Sequence, residues 1–203
     1  KIKALYPDAA IVCYVNSSAA VKAESDICCT STNAVDVVRS LPQKRIIFIP
    51  DQHLGSYVAQ RVPEKDIICW HGYCPVHHQI TAHMIERAKK AYPDAKLAAH
   101  PECPYEVVDQ CDFVGSTAQI VKYVRQSEDK EIIIITEEGI LHAIGETPDK
   151  TIHLLTPALL CEDMKKITLP ALRDSLLHGQ YEITVPETTA IRARAAIERM
   201  LEV

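Results

Sequence analysis

The chain has 203 residues, 47% of them hydrophobic, and a formal net charge of −5. That length holds one large domain or two small ones. The acidic balance without a long basic run argues against nucleic-acid binding, and no apolar run, the four isoleucines of 132–135 included, comes near the length needed to span a membrane.

Short apolar runs alternate with segments of helical spacing. Runs at 11–15, 45–49, 67–70, 96–99, 113–114, 132–135 and 152–155 predict strands, and Cys28-Cys29 lie on a further strand-like run. Nearly continuous apolar runs of this kind suit parallel strands buried on both faces. Helices are predicted over 34–40, 54–61, 82–92, 119–125 and 139–145. The β-α-β rhythm implies α/β architecture with right-handed crossovers. The tail predicts a helix at 167–177, a strand at 181–185 and an amphipathic helix at 188–201.

The chain also repeats itself. Tyr6-Pro7-Asp8-Ala9 recurs as Tyr92-Pro93-Asp94-Ala95, a shift of 86. At that shift Asp26 meets Asp112, Ser31 meets Thr117, Ile46-Ile47 meets Ile132-Ile133, and Asp51 meets Glu137. Cys74 and Cys161 follow the two copies at a spacing of 87. A period this long fits duplicated domains, not a solenoid. The expected architecture is a set of three-layer αβα sandwich repeats with small parallel sheets: 1–76, then 77–160, then a partial third copy at 161–203. Val185-Pro186-Glu187 echoes His100-Pro101-Glu102, so the tail reads as the start of that third copy, in a pseudo-threefold arrangement. The chain opens at Lys1 without an initiator Met. One period before Cys74 puts a third cysteine about a dozen residues ahead of Lys1. The expectation is a chain that lacks an N-terminal domain and one ligand.

Eight cysteines here do not form a secreted disulfide framework, and a reducing cytosol is expected. Cys13 and Cys69 sit in strand runs and read as inert core thiols. Cys28 and Cys29 are adjacent and point to opposite faces, a poor metal pair. There is no CxxC, so a zinc ribbon is not supported. Cys103 is a weaker ligand candidate, and Cys103 with Cys111 could form a redox pair, though core or loop roles are favoured. Thiolates far apart in sequence and brought together at a domain junction suit an iron–sulfur cluster, and Cys74 and Cys161 are the candidates.

Ligands of parallel α/β sheets bind beyond the carboxyl ends of the strands, and the polar residues fall there. Tyr14 and Asn16 end the first strand, and His100 and Glu102 end its equivalent. Ser31 and Thr117, with Ser116, stand at helix starts. They are read either as N-caps or as hydroxyls that help helix N-termini hold a phosphate. His77 and His78 follow Cys74 and could be surface residues, and Glu102 could serve only in a salt bridge. A phosphate-binding α/β module without catalysis, or a zinc hydrolase using Cys74, His77 and Cys161, are the alternative readings.

Several ordered motifs resemble one family. They are Tyr14-Val15-Asn16-Ser17-Ser18, Pro50-Asp51-Gln52-His53-Leu54, Gly72-Tyr73-Cys74-Pro75-Val76-His77, His100-Pro101-Glu102-Cys103, Gly115-Ser116-Thr117 and Met164-Lys165-Lys166-Ile167. All are similar to quinolinate synthases, and the resemblance covers essentially the whole chain. It implies three homologous α/β domains around a central cavity. It also implies a 4Fe-4S cluster held by three cysteines, with Cys74 and Cys161 as the second and third. The implied reaction condenses iminoaspartate, supplied by an aspartate oxidase or dehydrogenase, with dihydroxyacetone phosphate to give quinolinate in cytoplasmic NAD biosynthesis. By the same resemblance Tyr14, Asn16, Ser31, Ser116 and Thr117 contact substrate, while His77, His100 and Glu102 are catalytic and also touch it, Tyr14 sharing in catalysis. Glu102 is expected to be the general base, with a pKa raised by a closed cavity. A chain holding two of three thiolates is expected to be inactive alone.

Overall fold

The computed structural model describes residues 2–203. In chain order the first elements are α1 (Ile2–Leu5), β1 (Ala10–Tyr14), α2 (Ala19–Ala23), β2 (Ile27–Cys29), α3 (Ala34–Ser40), β3 (Arg45–Ile49), α4 (Gln52–Arg61) and β4 (Asp66–Cys69). A second series follows: α5 (Pro75–His78), α6 (Ala82–Ala91), β5 (Lys96–Ala99), α7 (Tyr105–Val108), β6 (Phe113–Val114), α8 (Thr117–Gln126), β7 (Glu131–Ile135), α9 (Ile140–Ile144) and β8 (Thr151–Leu154). The tail holds α10 (Glu162–Lys165), α11 (Leu169–His178) and α12 (Glu187–Leu201).

The strands form two four-stranded sheets of identical topology, β2-β1-β3-β4 and β6-β5-β7-β8, parallel throughout. The predicted α/β sandwich architecture is therefore the observed one. The central strands are fully buried: Ile46, Ile47 and Phe48 in β3, and Ile132, Ile133 and Ile134 in β7, are shielded on both faces. Helices supply that cover. Val37 and Val38 of α3 with Leu54 and Val58 of α4 pack on the first sheet. Ile85 of α6 and Ile120 and Val124 of α8 pack on opposite faces of the second. Equivalent carboxylates pin both sheets at their outer ends. Asp26 accepts the Ile11 N–H at 2.8 Å, and Asp112 accepts the Leu97 N–H at 2.9 Å.

In this strand order the chain runs from β1 to one neighbour and then crosses to the other. The carboxyl ends of β1 and β3, and of β5 and β7, are therefore topological switch points where a crevice opens. The two switch points face each other. A hydrogen bond from Thr32 Oγ1 to Ser116 Oγ, 2.8 Å long, ties the β2–α3 turn to the start of α8.

The tail differs from the sequence reading in one respect. The strand expected at 181–185 does not form. Its Tyr-Glu-Ile-Thr-Val alternation has the strand period, but no sheet edge pairs with it, and Ile183 stays 87% exposed. A β pattern is realised only where a ladder and a packing face exist. Ile167, Leu169, Leu176 and Leu177 are exposed, whereas α12 buries Ala193, Ala196 and Met200, packing on α2 and β2 of the first unit. Helix α11 is bounded as its sequence dictates, by a Thr168 cap, a proline in its first turn and left-handed Gly179 after its end.

Candidate active site

A cavity of about 720 Å³ opens between the two switch points. The first unit contributes Tyr14 and Asn16 from the end of β1 and the loop carrying Cys74 and His77. From the second come His100 and Glu102 after β5, Thr117 at the start of α8, and Cys161. Sequence positions as distant as Tyr14 and Cys161 thus meet at one place. Both cysteines are free and half-buried, as thiols offered to a ligand would be, and all eight cysteines of the chain are unpaired. Cys28, Cys29 and Cys103 are buried in the cores.

The charged centre of the cavity is a triad of buried side chains. Glu102 Oε2 lies 3.1 Å from His77 Nδ1 and 3.3 Å from His100 Nδ1. The imidazoles stack, with centroids 4.9 Å apart and planes 14° from parallel. The Glu102 backbone N–H donates to His100 Nδ1 at 3.3 Å, and His77 Nε2 pairs with Thr136 Oγ1 at 2.8 Å. His77 Nδ1 has the carboxylate beside it but makes no well-directed hydrogen bond, so that buried nitrogen is left to serve an ion pair or a ligand. Cys74, His77 and Glu102 place one donor atom each within 4.8 Å of one another. That trio differs from the Cys74, His77 and Cys161 set read as a zinc site from sequence.

The expectation of a raised Glu102 pKa is overturned. Burial does push the carboxyl upward, but the His100 and His77 rings beside it outweigh burial and hold it down at about 2. Burial likewise lowers His77, yet the Cys74 sulfur and the Glu102 carboxylate lift it to about 9. His100 is lowered, chiefly by burial. At neutral pH the centre therefore holds an ionised carboxylate, a charged imidazole and a neutral one. Tyr14 is pushed up by burial and by the Glu102 charge, which keeps its phenol a neutral donor.

The helix-end hydroxyls divide. Thr117 lines the cavity as the first residue of α8, with Ser116 as the N-cap. Ser116 Oγ accepts the Gln119 N–H at 3.3 Å, and Gln119 Oε1 accepts the Ser116 N–H at 2.8 Å, completing a capping box. So the cap reading belongs to Ser116 and not to Thr117. Nor does Ser31 cap α3, since Asn33 holds the cap position. Ser31 sits in the turn before that cap. Neither Ser31 nor Ser116 lines the cavity, in contrast to Tyr14, Asn16 and Thr117. Sequence reasoning missed Thr136 as the partner of His77. It also left Asp51 and Glu137, which line the cavity, without a role. The 86-residue shift that pairs Asp51 with Glu137 was the available signal.

Paired switch points, two cysteines lining one cavity and a charged imidazole–carboxylate centre define an α/β enzyme with a polar cavity. Comparison with known sequences narrows the class. Residues 1–202 match the family described as quinolinate synthetase A protein. The chain is 50% identical over 202 residues to the quinolinate synthase of Caldicellulosiruptor saccharolyticus, covering 99% of this chain and 67% of the relative. It is 52% identical over 200 residues to that of Methanoregula boonei, covering 98% and 66%. The chain belongs to the quinolinate synthase family. No helix among the described residues is long and apolar enough to cross a membrane.

Proposed function

We propose that this chain forms two walls of a quinolinate synthase active site, in which iminoaspartate and dihydroxyacetone phosphate condense to quinolinate with release of phosphate and water. Iminoaspartate would come from an aspartate oxidase or dehydrogenase, in the cytoplasmic synthesis of NAD. The observation that carries the reading is that Cys74 and Cys161, 87 residues apart, line one cavity together with Tyr14, His77, His100 and Glu102.

The donor chemistry fits an iron–sulfur cofactor. Two unpaired, half-buried thiols face one space, and soft sulfur donors suit iron–sulfur centres better than hard cations. Cys74 and Cys161 would hold a 4Fe-4S cluster, with a third thiolate from outside the 203 residues. When bound, such a cluster supplies a Lewis-acidic iron that eases loss of a substrate oxygen as water. The units 1–76 and 77–160 would then be two lobes of a threefold enclosure, with 161–203 leading into the third.

The chain's own residues do the rest. Tyr14 and Asn16, both neutral donors, hold anionic groups of the substrates, and Thr117 adds a hydroxyl and the start of α8. Ser116 holds the start of α8 in place. Charged His77 carries a proton to the reacting centre, Glu102 keeps that ring charged, and neutral His100, whose Nδ1 accepts the Glu102 N–H, has Nε2–H as its donor. Confinement between the two sheets shields the imine from water.

The test is anaerobic purification of the intact protein, which carries the third thiolate as well, with iron and acid-labile sulfide analysis, followed by assay of quinolinate formation from the two substrates. Brown protein with both iron and sulfide, and turnover that is lost in Cys161→Ser, is the expected result. Zinc without sulfide, or turnover that survives Cys161→Ser, would overturn the reading.

A further inference from the structure

The two cysteine loops are held by the same device. Asp51, two residues past the end of β3, accepts the Leu54 N–H on Oδ1 at 2.8 Å and the Cys74 N–H on Oδ2 at 2.9 Å. Glu137, two residues past the end of β7, accepts the Gly139 N–H on Oε2 at 2.7 Å and the Cys161 N–H on Oε1 at 3.2 Å. Each carboxylate spends one oxygen on the turn into the following helix and the other on the backbone of a cysteine more than twenty residues further along. An ordinary cap needs only the first bond. The second joins the switch-point strand to the cysteine loop, and it recurs at equivalent positions of the duplication. Both carboxylates are buried, which costs solvation unless their oxygens are matched by donors.

The surroundings are shaped to the same end. Gln52 donates its N–H to Gly72 O at 2.8 Å, and a Cβ on Gly72 would stand 2.4 Å from Pro50 O, so only glycine lets the Cys74 loop approach this closely. A Cβ on Gly139 would stand 2.7 Å from Glu137 Oε2. Lys165, four residues after Cys161, lies 3.2 Å from Glu137 Oε1 and ties α10 to the same carboxylate.

We propose that Asp51 and Glu137 are positioning residues, each a carboxylate bracket that sets the place of one cluster-binding thiol, Asp51 for Cys74 and Glu137 for Cys161. The inference rests on the cluster reading for its purpose and on the hydrogen bonds alone for its geometry. Amide replacement breaks the bracket without changing its shape. Asn or Gln offers one acceptor oxygen and turns an NH2 toward an N–H, so one of the two bonds is lost.

The test uses the intact protein, purified anaerobically with its cofactor, then challenged with a chelator and iodoacetamide. Cofactor loss is followed by absorbance, and labelling of the Cys74 and Cys161 peptides by mass spectrometry. Asp51→Asn is expected to speed labelling of Cys74 about fivefold, the change made by one net hydrogen bond, and to leave Cys161 as in the parent. Glu137→Gln is expected to do the reverse, and both variants to lose iron faster. Equal acceleration of both cysteines in either variant would mean general loosening and would overturn the proposal. So would failure of either variant to act on its own cysteine. A parent protein with no iron or sulfide would sink the cluster reading instead, while the labelling ratios would still report on the brackets.

Discussion

The two sheet units are the same object built twice and then given different work. Their strand orders match, and Tyr14 and Asn16 stand at the positions that His100 and Glu102 occupy 86 residues later. On the first unit that position carries neutral hydrogen-bond donors; on the second it carries an imidazole and an ionised carboxylate. Scaffold parts did not diverge in this way. Asp26 and Asp112 pin the sheets alike, and Asp51 and Glu137 hold the cysteine loops alike. Duplication kept what positions the cavity and varied what projects into it. The position after the leading strand is thereby suited to donating hydrogen bonds in one unit and to holding charge in the other.

That division of labour can be broken by single substitutions. The largest effect is expected for Glu102→Gln, which removes the charge beside His77 and His100 with little change of shape. It should lower kcat by about 10²–10³-fold with little change in KM. Tyr14→Phe removes one donor hydroxyl from the other wall and should raise KM about tenfold, leaving kcat within a few-fold. If Tyr14→Phe instead lowered kcat as much as Glu102→Gln, the two walls would not be specialised. The smallest effect concerns the shared scaffold. Asp112→Ala strips the acceptor from the Leu97 N–H and should cost about 1 kcal/mol in urea unfolding at neutral pH, with Asp26→Ala costing about the same. Burial alone would raise the Asp112 pKa, but Lys96 and the Leu97 N–H hold it below its ordinary value. A carboxylate depressed by folding stabilises above its unfolded pKa and stops doing so as pH falls through its folded one. The Asp112→Ala deficit should therefore shrink in acid, which unfolding curves at pH 7 and at low pH would check.

The same duplication explains how much was legible in the sequence. The apolar runs of β1, β3, β5 and β7 can only be buried parallel strands, so the sheets and their switch points follow from pattern. The shift of 86 brought Cys74, Cys161, Tyr14 and His100 to one place before any coordinates did. Electrostatics was not legible. Glu102 reads as a buried acid with a raised pKa until the two imidazoles beside it are seen, one of them delivered from the Cys74 loop. Thr136, Asp51 and Glu137 were hidden for a related reason, since their importance lies in backbone N–H groups and ring nitrogens far along the chain. The tail misled because alternation at 181–185 marks a capacity to pair, and nothing among the described residues pairs with it.

Every proposed role depends on Cys74 and Cys161 each delivering one sulfur to a shared iron–sulfur centre. The most direct measurement is iron and acid-labile sulfide per chain in the intact protein with all three thiolates, and in its Cys74→Ser and Cys161→Ser variants, all prepared anaerobically in parallel. The account predicts that either substitution strips both iron and sulfide from the protein. Full iron and sulfide in either variant would contradict it.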